Sequence, residues 1–515
     1  MSDNYINPRR TFINLTCSFG VMLIGFAISF FLSPYIIRTI GIEANGFVSL
    51  ANSFVSYANL AVLALNAMAA RFITLAYIQE DYKRANLYYN SVFWGNLILA
   101  GILFLPGLVL VLNLESVIQI PGNMQTDVKI LFAMVFLLFL VKTAFPNWDC
   151  GTRVSNRLDR EHIPSMLTSL LRCVLLVGMF TLFRPRVWYV TLTSTITGFI
   201  TLGFAGYNTH VLTPELRINF RKPICNKSVV KELVGSGIWS ALASSGNILL
   251  NGLDLLMCNL FVGSTAMGIL SLSKTIPSIL VQFAETIRGT FGPELTIAYA
   301  KGNKDDMIHG IRRSMKIASI LVSTATAGVI VMCDAFYSLW VPTQNAQLLQ
   351  QLTTLAILGY LTDSGVYVLG NVFPTYNRVK YNTYALLATG FVSIFLTFLF
   401  VRFTDWDIYA VAGISSLVTI VKSLIFMVPV TSKLLGLKWN TFYPQVLQSL
   451  LSCAVVIGIG LLVRQIVAIN SWIMFFLTAA VIAVLGLVAN MVIILNKEER
   501  EYLIAIFKRK LLRGS

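Results

Sequence analysis

The sequence contains few charged residues. Aspartate, glutamate, lysine and arginine make up 12% of its 515 residues, about half the share found in an ordinary soluble domain. A soluble protein of this length could not cover its surface with so little charge. Apolar stretches recur along the whole chain, and many are long enough to cross a hydrocarbon layer about 30 Å thick. The composition therefore excludes a soluble protein and predicts a multi-pass membrane protein.

Residues that support most catalytic and metal chemistry are also scarce. The seven cysteines are isolated, without a Cys-x-x-Cys or Cys/His spacing suited to zinc or to a disulfide framework. The three histidines, His162, His210 and His309, form no metalloprotease-type motif. We therefore expect no metal, no cofactor and no enzyme activity. A membrane-embedded glycan polymerase or glycosyltransferase is the alternative that this scarcity disfavours.

Hydropathy, interrupted at clusters of charge, glycine and proline, predicts an all-α chain with fourteen transmembrane helices. They are expected near residues 11–37, 44–77, 88–112, 128–147, 163–183, 188–207, 232–261, 265–299, 314–340, 349–374, 381–402, 408–430, 443–464 and 472–495.

The distribution of basic residues predicts the orientation of the chain. Twenty-nine of them fall in the segments on one side of the membrane and five on the other. Because cytoplasmic loops carry the excess of lysine and arginine, both termini are expected in the cytoplasm. The net charge of +16 then follows from topology, and no nucleic-acid partner is expected. Residues 497–515 are expected to form a short helix on the cytoplasmic surface.

An internal repeat appears at an offset of 222 residues. Segments 41–50 and 263–272 both read G-x4-G-x2-S-L, and this offset equates the second predicted helix with the eighth. Two six-helix lobes related by a parallel repeat are therefore expected, followed by two further helices. The corresponding domains are residues 1–231, 232–440 and 441–515. The last two helices are expected to be inert, to form an oligomer contact or to hold a lipid chain.

Polar residues recur at helical spacing on several predicted spans and indicate a wet cavity. Ionisable groups inside a span cost roughly 2.5 to 3.5 kcal/mol each on insertion scales, so they usually face a cavity or a partner. The residues expected to line a substrate lumen are Arg172, Lys274, Arg288, Asn52, Asn66 and Asn251. Those expected to couple transport to an ion are Asp254, Glu285 and Asp363.

Each of these residues also has a purely structural interpretation. Glu285 and Arg288 are three residues apart and could neutralise one another. Asp254 and Lys274 could pair across a helical hairpin. Serine stripes also mediate close helix packing. Four further basic residues are interpreted as helix-end or snorkelling residues, namely Arg71, Lys129, Lys142 and Lys422.

Three stretches carry a resemblance to a known family. They are YIIRTIGIEANGFVSLANSFVSY at 35–57, NAMAARFITLAY at 66–77 and SGNILLNGLDLLMCNLFVGSTAMGILSLSKTIPSIL at 245–280. With the arrangement of six, six and two helices, the chain resembles the bacterial polysaccharide-biosynthesis flippases of the O-antigen type. These belong to the multidrug, oligosaccharidyl-lipid and polysaccharide exporter superfamily. The resemblance covers nearly the whole chain.

The resemblance implies a function, a location and partners. The function is translocation of an undecaprenyl-pyrophosphate-linked oligosaccharide, as in lipopolysaccharide assembly, across the bacterial cytoplasmic membrane by alternating access. The partners are the lipid-linked substrate, membrane lipids and glycan polymerase or assembly proteins. A cationic lumen would receive the pyrophosphate, and Arg172, Lys274 and Arg288 are assigned to it here by position and charge. A cation-coupled multidrug antiporter of the same fold is the alternative, and the sugar and any coupling ion stay open.

Overall fold

A computed structural model describes residues 8–220, 226–302, 304–496 and 499–500. Within these ranges the regular elements are helices, and no residue is in a strand. A helix satisfies its backbone N–H and C=O groups within one segment, as a chain in lipid requires. The predicted all-α, multi-pass character is confirmed. The predicted surface helix at 497–515 falls outside the described residues, apart from 499–500.

Fourteen long helical segments follow one another in the described ranges. They are α1 (Pro8–Ile40), α2 (Ile42–Ile78), α3 (Tyr82–Leu112), α4 (Gln125–Ala144), α5 (Asp159–Leu182), α6 (Trp188–Leu212), α7 (Lys227–Gly252), α8 (Ser264–Ala300), α9 (Lys304–Trp340), α10 (Ala346–Thr375), α11 (Val379–Phe403), α12 (Asp407–Leu434), α13 (Tyr443–Ile466) and α14 (Trp472–Ile494).

Each predicted span overlaps one of these segments, but not all boundaries were right. The seventh span was expected to run over 232–261, whereas α7 ends at Gly252 and a separate short helix occupies Asp254–Phe261. Thirteen helices in the described ranges are long and apolar enough to cross a membrane. The long helix outside that set is α6, in which six threonines and three glycines dilute the apolar residues. The count of fourteen spans therefore stays a prediction.

The two copies of the repeated motif begin with the same kind of turn. Gly41, before α2, has a φ of 91°, and Gly263, before α8, has a φ of 128°. Both values lie in the region that glycine alone adopts without strain. Both copies of the motif therefore begin with a glycine of positive φ at the same position.

Equivalent residues of the two motif copies also touch each other. A Cβ atom added to Gly46 would lie 2.9 Å from the Cα atom of Gly268, and the Thr265 hydroxyl donates a hydrogen bond to the Glu43 carboxylate. Both pairs are separated by the repeat offset of 222 residues. Contact between equivalent positions is the arrangement that a local two-fold axis produces.

Contacts divide the chain into two compact units. The first unit comprises Met1–Ile248 and Val262–Gly268, and the second comprises Leu249–Phe261 and Ile269–Ser515. Most of α7 belongs to the first unit because it packs along α2. A Cβ atom added to Gly237 of α7 would lie 2.1 Å from the carbonyl oxygen of Ala64, so only glycine permits this approach. The domain limits at 231 and 440 follow the repeat rather than these contacts, and they stay a prediction.

Each unit has its own core. In the first unit, α2, α3 and α7 enclose a cluster that includes Leu65, Ile73, Tyr88 and Leu233. In the second unit α9 is central, since it packs against α8, α10, α13 and α14. These cores fix the helices on which the polar residues of interest lie.

Candidate functional site

A polar cavity lies within the first unit. Its volume is about 350 Å³. The polar residues lining it are Asn52, Asn59 and Asn66 on α2, with Lys142 and Thr143 at the end of α4; the apolar ones are Val55, Val62, Val135, Leu138 and Phe139. The three asparagines are seven residues apart, which places their amides along one face of α2. The expected polar stripe of α2 therefore faces a cavity.

Lys142 is the basic residue of this cavity. Its side chain is exposed, and it forms no ion pair within the described ranges. Lys142 lies in the last turn of α4, as its interpretation as a helix-end residue expected. Its position beside the three asparagines was not predicted from the sequence. Its ammonium group is a compact cation with three donors. A cation beside amides suits an anion that carries hydroxyl groups.

The innermost asparagine is held by a partner from α3. The Asn66 Nδ2 group donates to Asn96 Oδ1 at 3.1 Å, and Asn96 Nδ2 donates back to Asn66 Oδ1 at 2.8 Å. Asn96 is fully buried and donates further to the Val92 carbonyl at 2.9 Å. This reciprocal pair fixes the orientation of the Asn66 amide. The sequence did not reveal Asn96, because its partner lies thirty residues away on another helix.

Beyond the end of α4, the chain carries a partly buried acidic residue, Asp149. Burial raises the pKa of the Asp149 carboxyl above its usual range, and nearby Glu161 raises it further, against the opposing effects of Arg153 and Lys142. The Thr152 hydroxyl lies within hydrogen-bond distance of the Asp149 backbone carbonyl, at 2.9 Å, and of Glu161 Oε2, at 3.2 Å. An acidic group therefore lies close to the lysine of the cavity.

Arg172 does not line this cavity. It lies on α5, which packs against α1 and α6, and its Nε atom is buried without a hydrogen-bond partner among the described residues. A buried guanidinium nitrogen without a partner is costly. Arg172 is therefore still a candidate for binding an anion, although it lies apart from the polar residues of α2.

In the second unit, the expected site residues lie where helices are interrupted. Proline has no N–H group and its ring clashes with the carbonyl four residues earlier, so it breaks a helix on its N-terminal side. Pro277 follows the break at Lys274 in α8. Pro374 follows a 3-10 turn at Tyr367–Asn371 in α10, and Pro429 follows a π turn at Ser423–Met427 in α12.

Lys274, Asp254 and Asn251 come together where the break in α8 meets the end of α7. The Lys274 ammonium group forms an ion pair with Asp254 and donates to the Asn251 backbone carbonyl at 3.0 Å. Asn251 belongs to a π turn, Ile248–Gly252, that ends α7. Lys274 thus pairs with Asp254, as the hairpin-pairing interpretation expected. Its contact with Asn251 is through the backbone and not through the side chain.

Glu285 and Arg288 form the most accessible charged pair of the second unit's candidates. Arg288 Nη2 lies 2.6 Å from Glu285 Oε2, and the two side chains are 34% and 43% exposed. The Arg288 guanidinium carbon lies 4.8 Å from the centre of the Tyr367 ring, and the Tyr367 hydroxyl donates to Glu285. Asn371 Nδ2 donates to the Arg288 carbonyl at 2.8 Å. One tyrosine therefore contacts both members of the pair.

Asp363 is buried one turn before Tyr367. Its carboxylate accepts a hydrogen bond from the Ser423 hydroxyl in the π turn of α12, and Lys422 is close enough to act on it electrostatically. Asp363, Tyr367 and Asn371 follow one another at intervals of four residues, the spacing of one face of an α-helix. In the structure Asp363 is held from α12, whereas Tyr367 and Asn371 contact α8.

The structure thus groups the predicted site residues into local sets. Asn52 and Asn66 share a cavity with Lys142, while Lys274, Asp254 and the Asn251 backbone form one cluster. Glu285 and Arg288 form another. Arg172 and Asp363 each stand in separate surroundings. Whether these residues bind substrate or an ion stays a prediction.

Comparisons with known proteins agree on the class of protein. Residues 13–295 match the family described as "Polysaccharide biosynthesis protein". The "Uncharacterized membrane protein EpsK" of Bacillus subtilis (strain 168) is 23% identical over 502 residues, which cover 96% of this chain and 99% of that protein.

Two solved structures share the fold. The lipid II flippase MurJ in an inward closed conformation superposes with a TM-score of 0.67 and 12% identity, covering 97% of this chain and all of that one. An inward-facing multidrug resistance MATE family transporter of the MOP superfamily has a TM-score of 0.64 and 13% identity, covering 82% of this chain and 98% of that one.

The chain therefore shares the fold of this flippase and of this transporter. The chain belongs to the polysaccharide biosynthesis protein family. The family predicted from the three sequence stretches is confirmed.

Proposed function

We propose that this protein is a flippase for an undecaprenyl-pyrophosphate-linked oligosaccharide. It moves the repeat unit from the cytoplasmic to the outer leaflet of a bacterial cytoplasmic membrane, with both of its own termini in the cytoplasm. Alternating access of two six-helix lobes carries the head group across, and no covalent chemistry is required. Family membership supports the polysaccharide assignment, and the fold supports transport.

The observation that carries the proposal is the cavity beside α2. Lys142 gives it a positive charge, and the amides of Asn52, Asn59 and Asn66 offer both donors and acceptors. A pyrophosphate needs a cation, and sugar hydroxyls need paired donors and acceptors. The polyprenyl chain needs neither, so it stays in the lipid.

Arg172, Lys274 and Arg288 are proposed as further contacts for the anionic head along its path. Guanidinium groups suit phosphates because they present donors in a fixed fork. Asp254, Glu285 and Asp363 are the carboxylates through which an ion gradient would drive the cycle. Glycan polymerase and assembly proteins are the proposed partners at the outer face.

Depletion of the protein in its bacterial host tests this function. Appearance of one glycan unit at the outer leaflet should stop and should return on expression of the wild-type chain. Expression of K142Q should restore it only partly. Normal glycan export after depletion would contradict the proposal.

A cation-coupled multidrug antiporter is the second candidate, because a MATE family transporter shares the fold. Such a protein needs a carboxylate available to a cationic substrate. Asp254 already pairs with Lys274, and Glu285 with Arg288, so we favour the flippase. Carboxylate-dependent binding of organic cations by purified protein, without binding of glycolipid, would favour the antiporter.

A further inference from the structure

The pair formed by Glu285 and Arg288 is built so that a ligand can compete for it. Roughly a third of the Arg288 side chain and more than two fifths of the Glu285 side chain are exposed. A guanidinium group carries five donors, and one of its nitrogens contacts Glu285. The pair is therefore reachable, and Arg288 has capacity to bind an anion.

Tyr367 makes this pair different from an ordinary surface ion pair. Its ring covers one face of the guanidinium group at 4.8 Å, and its hydroxyl donates to Glu285. Tyr367 is anchored in the interrupted part of α10. The Glu285 carboxyl group therefore keeps a hydrogen-bond partner when Arg288 turns to a ligand.

We propose that binding of a pyrophosphate group at Arg288 is linked to uptake of one proton by Glu285. The inference rests on the proposed function, because it takes the lipid-linked pyrophosphate as the ligand. The anion replaces the Glu285 carboxylate at the guanidinium group. The displaced carboxylate then lies beside a negatively charged ligand, and this repulsion favours its neutral form. The proton comes from solvent, and the new O–H group donates to a ligand oxygen.

A pyrophosphate group can displace the Glu285 carboxylate from Arg288. A partly exposed ion pair stabilises its members by a small amount, equivalent to about two- to fivefold in an equilibrium constant. A pyrophosphate carries more charge than a carboxylate and can accept two hydrogen bonds from one guanidinium group. Its interaction with Arg288 therefore exceeds that of Glu285. The proton linkage then makes head-group binding stronger at lower pH than an uncoupled site would allow.

Neighbouring helices present few other groups that could take the proton. From α10, the titratable residues near the pair are Tyr360 and Tyr367. Asp363 is already held by Ser423. On α9, the neighbour of α8, Lys316 and Asp334 are paired with Glu499 and Arg464. The other charged or titratable groups toward its start lie within its first ten residues, namely Lys304, Asp305, Asp306, His309, Arg312 and Arg313.

Isothermal titration of full-length protein in nanodiscs with undecaprenyl pyrophosphate tests the linkage. Runs in two buffers of different ionisation enthalpy give the number of protons bound per ligand. The key variant is E285Q, which keeps an acceptor for Tyr367 but cannot titrate. The matched control is E115Q, because Glu115 pairs with Lys129 at 2.8 Å with similar exposures of 45% and 33%.

Wild type and E115Q should take up more protons per bound ligand than E285Q, by a fraction approaching one. E285Q should bind about two- to fivefold more tightly at neutral pH, because Arg288 is released. The ratio of wild-type to E285Q affinity should rise as the pH falls. Equal proton counts in wild type and E285Q, with binding intact in both, would overturn the linkage and leave the proposed function standing. Absence of binding in wild type would instead contradict both.

Discussion

Replacing Lys142 tests whether the cavity beside α2 binds an anion. The variant K142Q keeps a polar side chain of similar length and removes the charge. A hydrogen bond to a charged group is worth about 1.5 to 3 kcal/mol. Because the Lys142 side chain is exposed, the lower end applies, and about 1.5 kcal/mol corresponds to roughly tenfold in Kd.

The assay is binding of undecaprenyl pyrophosphate by protein in nanodiscs, with thermal unfolding measured in parallel. K129Q is the matched control, because Lys129 lies on the same helix and pairs with Glu115. K142Q should weaken binding roughly tenfold without lowering the unfolding temperature, since Lys142 has no ion pair among the described residues to lose. K129Q should leave binding unchanged. Equal affinities in the two variants would refute the assignment of Lys142 to a binding cavity and favour its interpretation as a helix-end residue.

Three further predictions concern stability and are checked by thermal unfolding. G237A should destabilise the protein by about 1 to 3 kcal/mol, whereas G235A, where an added Cβ meets nothing within 4 Å, should not; equal effects would exclude the close approach of α7 to α2. N96A should cost about 1 to 3 kcal/mol by leaving buried partners unsatisfied, and removing Asn66 as well should add less than its own single effect; additive costs would contradict the reciprocal pair. Since the folded-state pKa of Asp149 is raised, its ionisation costs stability as the pH rises from the ordinary carboxyl range through that raised pKa. D149N should therefore gain stability over wild type between acid and neutral pH, and a difference that does not change with pH would contradict this.

Composition and periodicity predict most of the architecture. The long apolar runs and the punctuation by proline and glycine gave the helical segments, because a segment in lipid has few alternatives to a helix. The repeat at 222 residues anticipated equivalent turns at Gly41 and Gly263. Local breaks in helices were harder to predict. The apolar run at 232–261 was read as one span, whereas the π turn that ends α7 divides it.

The site was predictable only as faces of single helices. Three asparagines on one face of α2 line a cavity, and its use as a substrate lumen stays a prediction. The residues that contact those helix faces come from other helices of the chain. Lys142 and Asn96 join the stripe through tertiary packing, which helical spacing does not encode. Tyr367 lies four residues after Asp363 in the sequence, yet it contacts Glu285 and Arg288 on a different helix.

The most direct test of the central claim is transport by the purified full-length protein. Liposomes would carry the protein and a fluorescent undecaprenyl-pyrophosphate-linked oligosaccharide on one leaflet, and a membrane-impermeant glycosidase would report its arrival on the other. We expect protein-dependent translocation that K142Q slows and K129Q does not. No translocation of the glycolipid, together with transport of organic cations by the same vesicles, would contradict it.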